Sequence, residues 1–345
     1  MGERLLVADL RSSAPAWALP DRVVAAINAA APADWRVHVV GALTVSDGDG
    51  ADRPSDETLS VIGDAEAYVG FGAPPALITA APRLRWIHSA TAGVGSILTP
   101  ELMSREIMLT NSAGVHARPI AEYVLGGILH FLRGFDVGVR QQMEHRWDRE
   151  PFVGVGHTAR EVSECRVLVV GTGGIGSESA RLLSGLGAEC TGVRRRPELG
   201  APEGFARVAG PDALDAELPR ADVLVLAAPL TGGTRHLITR ERLGLLPAGA
   251  IVVNIARGAL LDEEALLDGL ESGKLRGAVL DVFGKEPLPA ESPLWRASRV
   301  LLTPHVSGVS PRRFWDRELA LILENWRRYR SGEPLLNLVD QKAGY

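Results

Sequence analysis

With only two cysteines in 345 residues, Cys165 and Cys190, the chain has no disulfide framework to build on. Neither stands at a metal-ligand spacing, so no metal site is expected and both thiols read as reduced core residues. Long apolar runs are missing as well: none approaches the roughly 20 residues of a membrane-spanning helix, and no membrane partner is expected. Positive charge is scarce. Lys and Arg number 37 against 42 Asp and Glu, a net charge of −5 with a pI near 6.0. Beyond Arg194-Arg195-Arg196 no basic stripe occurs, which excludes a nucleic-acid surface. The opening Met1-Gly-Glu-Arg runs straight into L-L-V-A-D-L without the apolar core and cleavage site of a secretory signal, so the cytoplasm is the expected location.

What is present is an ordinary globular balance, 46% hydrophobic and 23% charged, over a length that suggests two domains. The most informative stretch is Val167 to Gly176, V-L-V-V-G-T-G-G-I-G. An apolar run meets three glycines, Gly171, Gly173 and Gly176, and the following S-E-S-A-R-L-L-S-G-L turns apolar at helical spacing. Such a strand, tight turn and helix form a dinucleotide fingerprint. Gly171 permits the turn, Gly173 leaves room for a pyrophosphate and Gly176 lets helix and strand pack closely. Gly174 and Ile175 begin the helix, whose N–H groups and positive dipole end favour a phosphate. A second strand, Cys190-Thr-Gly-Val193, completes the βαβ unit. It ends at Arg194 and Arg195 with no carboxylate before Glu198, and arginine there suits a 2′-phosphate. NADP(H) is therefore expected in preference to NAD(H).

From residue 1 to about 110, apolar runs (R-L-L-V-A-D-L, R-V-H-V-V, A-Y-V-G-F, L-R-W-I-H-S) alternate with helical patterns, which implies a parallel α/β sheet. Ser46 to Asp56, polar and glycine-rich, reads as a mobile surface loop. Ser89-Ala-Thr-Ala-Gly-Val-Gly-Ser96 ends a strand in small residues whose N–H groups can face a small anion; a plain turn is the other reading. Pro119 fits the first turn of a strongly apolar helix through Leu132, a domain connector or a subunit interface. Trp147 reads either as an anchor on a partner surface or as a core residue. Further strands follow at Ala221–Pro229, Gly249–Ala256, Gly277–Asp281 and Val300–Pro304. The last three bring Arg257, Asp281 and His305 to their carboxyl ends, where doubly wound sheets bind ligands. Pro311 begins a long amphipathic helix with an extended tail, expected to return to the N-terminal domain and leave a cleft between domains.

Nicotinamide chemistry needs a bound acceptor, a polarising group and a proton source. His305 with Glu286 is the candidate acid/base pair. Arg257 offers a planar fork to a carboxylate.

G-T-G-G-I-G at Gly171, A-P-L-T-G-G-T-R at Ala228, N-I-A-R-G at Asn254, L-D-V-F-G-K-E-P-L-P at Leu280 and L-L-T-P-H at Leu301 together resemble the D-isomer-specific 2-hydroxyacid dehydrogenases over nearly the whole chain. The resemblance implies two doubly wound α/β domains: a flavodoxin-like substrate domain, residues 1–115 with 312–345, and a Rossmann dinucleotide-binding domain, 116–311. It implies Arg257 as the carboxylate binder, His305 as the general acid/base and Glu286 as its holder. Asp281 would lie near the nicotinamide carboxamide, and main-chain N–H groups of Ala92, Gly93 and Val94 on the substrate carboxylate. Ala228, Pro229, Thr234, Ile255 and Ala256 would line the cofactor. The family's dimers use the equivalent of Ile120–Leu132, and Trp147 matches a tryptophan that reaches a neighbouring active site.

Gly93-Val94-Gly95 stands where the family commonly has G-V-D, and T-A-G-V-G-S is similar to formate dehydrogenases of the same superfamily. Those enzymes carry glutamine at Glu286 and asparagine at His116, which argues against formate as substrate. The arginine cluster resembles the glyoxylate and hydroxypyruvate reductase branch. The absence of a regulatory domain after the last helix disfavours the long type of phosphoglycerate dehydrogenase. The expected protein is a dimeric, NADP(H)-preferring reductase of a small 2-oxo acid such as glyoxylate or hydroxypyruvate. A cofactor-sensing, corepressor-like binding protein is the alternative from another class.

Overall fold

The computed structural model describes residues 3–44, 53–156 and 159–344. These divide into two compact units, Met1–His116 with Val309–Tyr345, and Ala117–Gly308. Most of the expected loop at 46–56 lies outside the described residues. Its last residues do not belong to a loop: Ser55 caps the helix Asp56–Val61, its hydroxyl accepting the Thr58 N–H at 3.0 Å.

The first unit holds five parallel strands: β1 (Arg4–Asp9), β2 (Trp35–Val39), β3 (Ala67–Gly70), β4 (Trp86–Ser89) and β5 (Met108–Asn111). Their order, β2-β1-β3-β4-β5, is the flavodoxin-like one. One face packs on Phe314, Trp315, Ile322 and Trp326 of the helix Phe314–Ser331. That helix begins three residues later than Pro311. The N–H groups of Arg313 and Phe314 both donate to the Ser310 carbonyl, so 310–313 form a turn before the helix starts. The tail then runs along β5, with Leu338 bridged antiparallel to Thr110 and the Val339 N–H on the Leu109 carbonyl at 2.8 Å.

The second unit holds seven parallel strands: β6 (Arg166–Val170), β7 (Glu189–Val193), β8 (Arg207–Ala209), β9 (Val223–Leu226), β10 (Ala250–Asn254), β11 (Leu275–Leu280) and β12 (Val300–Leu302). The order is β12-β11-β10-β9-β6-β7-β8, a Rossmann arrangement that reverses direction between β6 and β9. Both faces are covered, which explains why its strands read as continuous apolar runs. Val167 and Val169 point toward Val124, Ile128 and Phe131 of the helix Ala117–Leu132, while Leu168 and Val170 join the cluster of Leu214, Leu243 and Leu266. β5, β8 and the helix Phe135–Met143 were not anticipated from the sequence; the first two are only four and three residues long.

Candidate active site

Six of the seven loops that leave the carboxyl ends of the second unit's strands carry most of the expected site residues. After β6, Gly171 has φ +98°, and a Cβ there would lie 2.6 Å from the Ala228 nitrogen. A Cβ on Gly176 would strike the Gly171 carbonyl oxygen, whereas around Gly173 nothing lies within 4 Å. Two of these glycines thus serve the fold, and the third leaves an open cradle at the start of the helix Gly174–Gly185. That cradle, with Gly174 and Ile175 in the first turn, fits a dinucleotide pyrophosphate.

The rim's charged pair is built on backbone as much as on side chains. His305 Nδ1 lies 2.8 Å from Glu286 Oε2, and Glu286 Oε1 accepts the Phe283 N–H at 2.9 Å. Both side chains are partly open, 28% and 34% exposed, so a reactant can reach the imidazole. His305 itself sits at φ +54°, a conformation that costs a non-glycine residue on the order of 1 kcal/mol or more. What holds it there is Asp281, fully buried, whose carboxylate accepts from Val306 N at 2.8 Å, Ser307 N at 2.9 Å and Thr303 Oγ1 at 2.5 Å. The Asp281 carbonyl also accepts the His305 N–H at 2.9 Å. Tyr123 Oη stands 2.7 Å from Thr303 Oγ1. Since Thr303 must donate to the carboxylate, Tyr123 donates to Thr303. Burial pushes the Tyr123 phenol up to about 12.

Arg257 follows β10 on a turn braced by Asn254, which is buried; its side chain donates to the Arg257 carbonyl at 3.0 Å and accepts the Ala256 N–H at 3.1 Å. Arg257 Nη1 donates to the Ala256 carbonyl at 2.7 Å. Gly258 lies against Phe283 and Gly284, where any Cβ would collide, so the turn bearing Arg257 packs directly on the loop bearing Glu286. Glu263 accepts the Gly284 N–H at 2.6 Å. Burial pushes the Glu263 carboxyl above its ordinary range, with the charge of Glu286 adding and the Gly284 N–H opposing.

The remaining residues expected to bind cofactor follow strands of the same sheet. Ala228 and Ile255 are buried, Pro229 is exposed and Ala256 is half-buried. Thr234 turns its hydroxyl onto the Pro229 carbonyl at 2.6 Å and so closes its own loop. After β7, Arg194 is half-buried with Nη1 on the Gly200 carbonyl at 3.1 Å, and Arg195 is exposed. Ala92, Gly93 and Val94 lie in the first unit, after β4. There the carbonyls of Thr91, Ala92, Gly93 and Val94 are all hydrogen-bonded, to Ser112 N, Asn111 Nδ2, Thr91 Oγ1 and Ile97 N. Sequence reasoning assigned no role to Tyr123, Asn254, Thr303 or Asn111; Tyr123 sits in an apolar helical pattern that offers no signal, while Asn254 and Thr303 lie inside the recognised motifs.

A family model described as the D-isomer specific 2-hydroxyacid dehydrogenase NAD binding domain matches residues 125–307, more than half of the chain and within the second unit. The chain belongs to the D-isomer specific 2-hydroxyacid dehydrogenase family. As a member it is an NAD(P)-dependent oxidoreductase of the 2-hydroxyacid type. It is 35% identical over 282 residues to glyoxylate/hydroxypyruvate reductase A of Salmonella newport (strain SL254), covering 79% of this chain and 85% of that one. A D-isomer specific 2-hydroxyacid dehydrogenase from Xanthobacter autotrophicus Py2, solved in complex with NADPH and MES, matches with a TM-score of 0.79 and 32% identity over 100% of both chains. An NADPH-dependent glyoxylate/hydroxypyruvate reductase from Sinorhizobium meliloti, solved with NADP and sulfate, matches with a TM-score of 0.77 and 28% identity over 99% and 100% of the two chains. In this 2-hydroxyacid dehydrogenase, no helix among the described residues is long and apolar enough to cross a membrane.

Proposed function

We propose that the chain is an NADP(H)-preferring 2-oxoacid reductase acting on a small substrate such as glyoxylate or hydroxypyruvate. The observation that carries this reading is the hydrogen bond of 2.8 Å between His305 and Glu286, on a backbone forced into place by Asp281 at the rim of a Rossmann sheet. Gly171, Gly173, Gly174, Ile175 and Gly176 would hold the pyrophosphate; Ala228, Pro229, Thr234, Ile255, Ala256 and Asp281 would border the rest of the dinucleotide. Arg194 and Arg195 would take its 2′-phosphate, Arg195 with the more exposed side chain. The chemistry supplied on binding is hydride transfer.

The protein's own groups do the rest. Arg257 and the N–H groups of Ala92, Gly93 and Val94 bind the substrate carboxylate and so present one face of the ketone. With Nδ1 committed to Glu286, His305 has Nε2 for the carbonyl oxygen, and it gives that oxygen a proton as the carbon is reduced. Glu286 fixes the plane of the ring and balances the positive charge it carries before the transfer. The names of the Salmonella newport and Sinorhizobium meliloti relatives support glyoxylate and hydroxypyruvate as acceptors. We also propose a homodimer, supported by the exposed side chains of Phe135, Val139, Met143 and Trp147, and a cytoplasmic location.

The test is loss of reduced-nicotinamide absorbance with NADPH and with NADH against both oxo acids. Turnover should favour NADPH. His305→Ala should lower kcat by about a hundredfold or more, and Arg257→Ala should lower kcat/KM comparably. Arg195→Glu should reverse the cofactor preference. An enzyme that prefers NADH would sink the arginine assignment alone; one that binds cofactor and reduces no oxo acid would sink the reductase reading.

A further inference from the structure

The first unit contains a chain of amide contacts that begins in the C-terminal tail and ends under the loop at Ala92. Asn337 has φ +53° and donates from Nδ2 to the carbonyls of Ala113 at 2.8 Å and Asn111 at 3.1 Å. Its own carbonyl accepts the Asn111 N–H at 3.3 Å. The tail is fixed just before it by Asn325, which is fully buried and grips both the N–H and the carbonyl of Leu336, at 2.7 and 3.0 Å. Asn111 in turn accepts the Ala113 N–H on Oδ1 and donates from Nδ2 to the Ala92 carbonyl at 2.7 Å.

This last bond matters because of what it does to the loop. With the carbonyls of residues 91–94 all bonded to the protein, the N–H groups of Ala92, Gly93, Val94 and Gly95 donate to no protein acceptor among the described residues. Consecutive N–H groups released in this way form an anion-binding concavity. Only the Ala92 carbonyl depends on a side chain from outside the loop and its flanking backbone, that of Asn111, whose main-chain N–H and carbonyl are held by the tail.

We infer that Asn111 and Asn337 are positioning residues for the substrate carboxylate, the tail acting as a strap that keeps the N–H groups of 92–95 turned outward. The inference rests on the reductase reading and deepens it. Asn111 acts directly on the loop; Asn337 acts through Asn111. Both belong to the first unit, whereas the residues proposed to hold the dinucleotide belong to the second, so the oxo acid should feel their loss and the dinucleotide should not.

The experiment compares Asn111→Ala and Asn337→Gly with the unaltered full chain. Glycine keeps the left-handed backbone at 337 and removes only the amide, and position 337 is exposed, so the variant folds even if Asn111→Ala does not. The KM for glyoxylate and hydroxypyruvate should rise about tenfold in Asn111→Ala, which leaves a half-buried carbonyl unbonded, and about threefold in Asn337→Gly, which acts through Asn111. Oxalate, a carboxylate probe with no reducible carbonyl, should lose affinity by the same factors in calorimetry. The Kd for NADPH and kcat at saturation should stay within about twofold. Unchanged oxalate affinity and KM in Asn337→Gly, or an equal weakening of NADPH, would overturn the inference while leaving the reductase intact. An unaltered chain that neither binds oxalate nor reduces an oxo acid would instead overturn the functional reading itself.

Discussion

Thr303 is the residue through which the second unit's long helix reaches the histidine loop, since it accepts from Tyr123 and donates to Asp281. Thr303→Val removes one of three donors from a fully buried carboxylate and strands the Tyr123 hydroxyl. We expect kcat to fall about tenfold with little change in the KM for cofactor, and Thr303→Ser to restore it. A Thr303→Val enzyme with unaltered kcat would show that the backbone N–H groups alone fix His305. The glycines of the fingerprint separate two roles at the same scale. Gly176→Ala drives a Cβ into the Gly171 carbonyl and should cost about 2 kcal/mol or more of stability in denaturant unfolding. Gly173→Ala meets nothing within 4 Å and should leave stability within about 0.5 kcal/mol while weakening NADPH binding, a contrast that binding and unfolding curves together would check. The tight turn at Gly171 and the close packing at Gly176 were legible in their spacing. The role of Thr303 was not, because hydroxyl direction depends on a carboxylate 22 residues away in sequence.

Helices of the second unit are tied by ion pairs of unequal burial. Asp136, at the start of the helix Phe135–Met143, makes a two-pronged pair with Arg276 of β11 at 2.7 and 2.9 Å, both nearly buried. Asp136→Ala leaves a guanidinium charge inside and should destabilise by about 3 kcal/mol, whereas Asp136→Ala with Arg276→Met should recover most of it. Glu178 is half-buried, and its arginine partners are more open to solvent. Hydrogen bonds from Arg181 first, and then Arg118 of the neighbouring helix, hold its carboxyl at about 2 against an ordinary 4.5. A carboxylate depressed in the folded state stabilises it at pH values above the ordinary one, and that contribution is lost as pH falls toward the folded value. Glu178→Gln should therefore flatten acid unfolding between pH 4.5 and about 2, by less than about 1 kcal/mol because the arginines face solvent. Buried strands such as β6 and β10 announced themselves as apolar runs bounded by glycine. The helix at Phe135 did not, because its outward face is apolar and its buried residues are an aspartate and a glutamine, Asp136 and Gln141, the reverse of the pattern that marks an amphipathic helix in a monomer.

At the scale of the chain, parallel α/β sheets could be read from alternation, and the resemblance of the motifs to the family implied their flavodoxin-like and Rossmann orders. The tail's pairing with β5, which joins Leu338 to Thr110, could not, since no local pattern encodes a contact over such a separation. The outward face of Phe135–Met143 poses the same problem in its strongest form, because in the proposed dimer the group that covers it belongs to another molecule. Phe135, Val139 and Met143 recur every fourth residue on one side of the helix, and Trp147 beyond them is 92% exposed. A stripe of that kind is costly to leave in water, and a second copy of the chain is the occupant we expect. The unaltered chain should then sediment as a dimer at micromolar concentration, with a Tm that rises with protein concentration. Replacing Val139 and Met143 together by Asp should give a monomer whose Tm no longer depends on concentration, the buried Asp136–Arg276 pair remaining intact beneath. A wild-type monomer across that range would remove the dimer from the proposal and leave the His305–Glu286 chemistry, which lies within one chain, untouched.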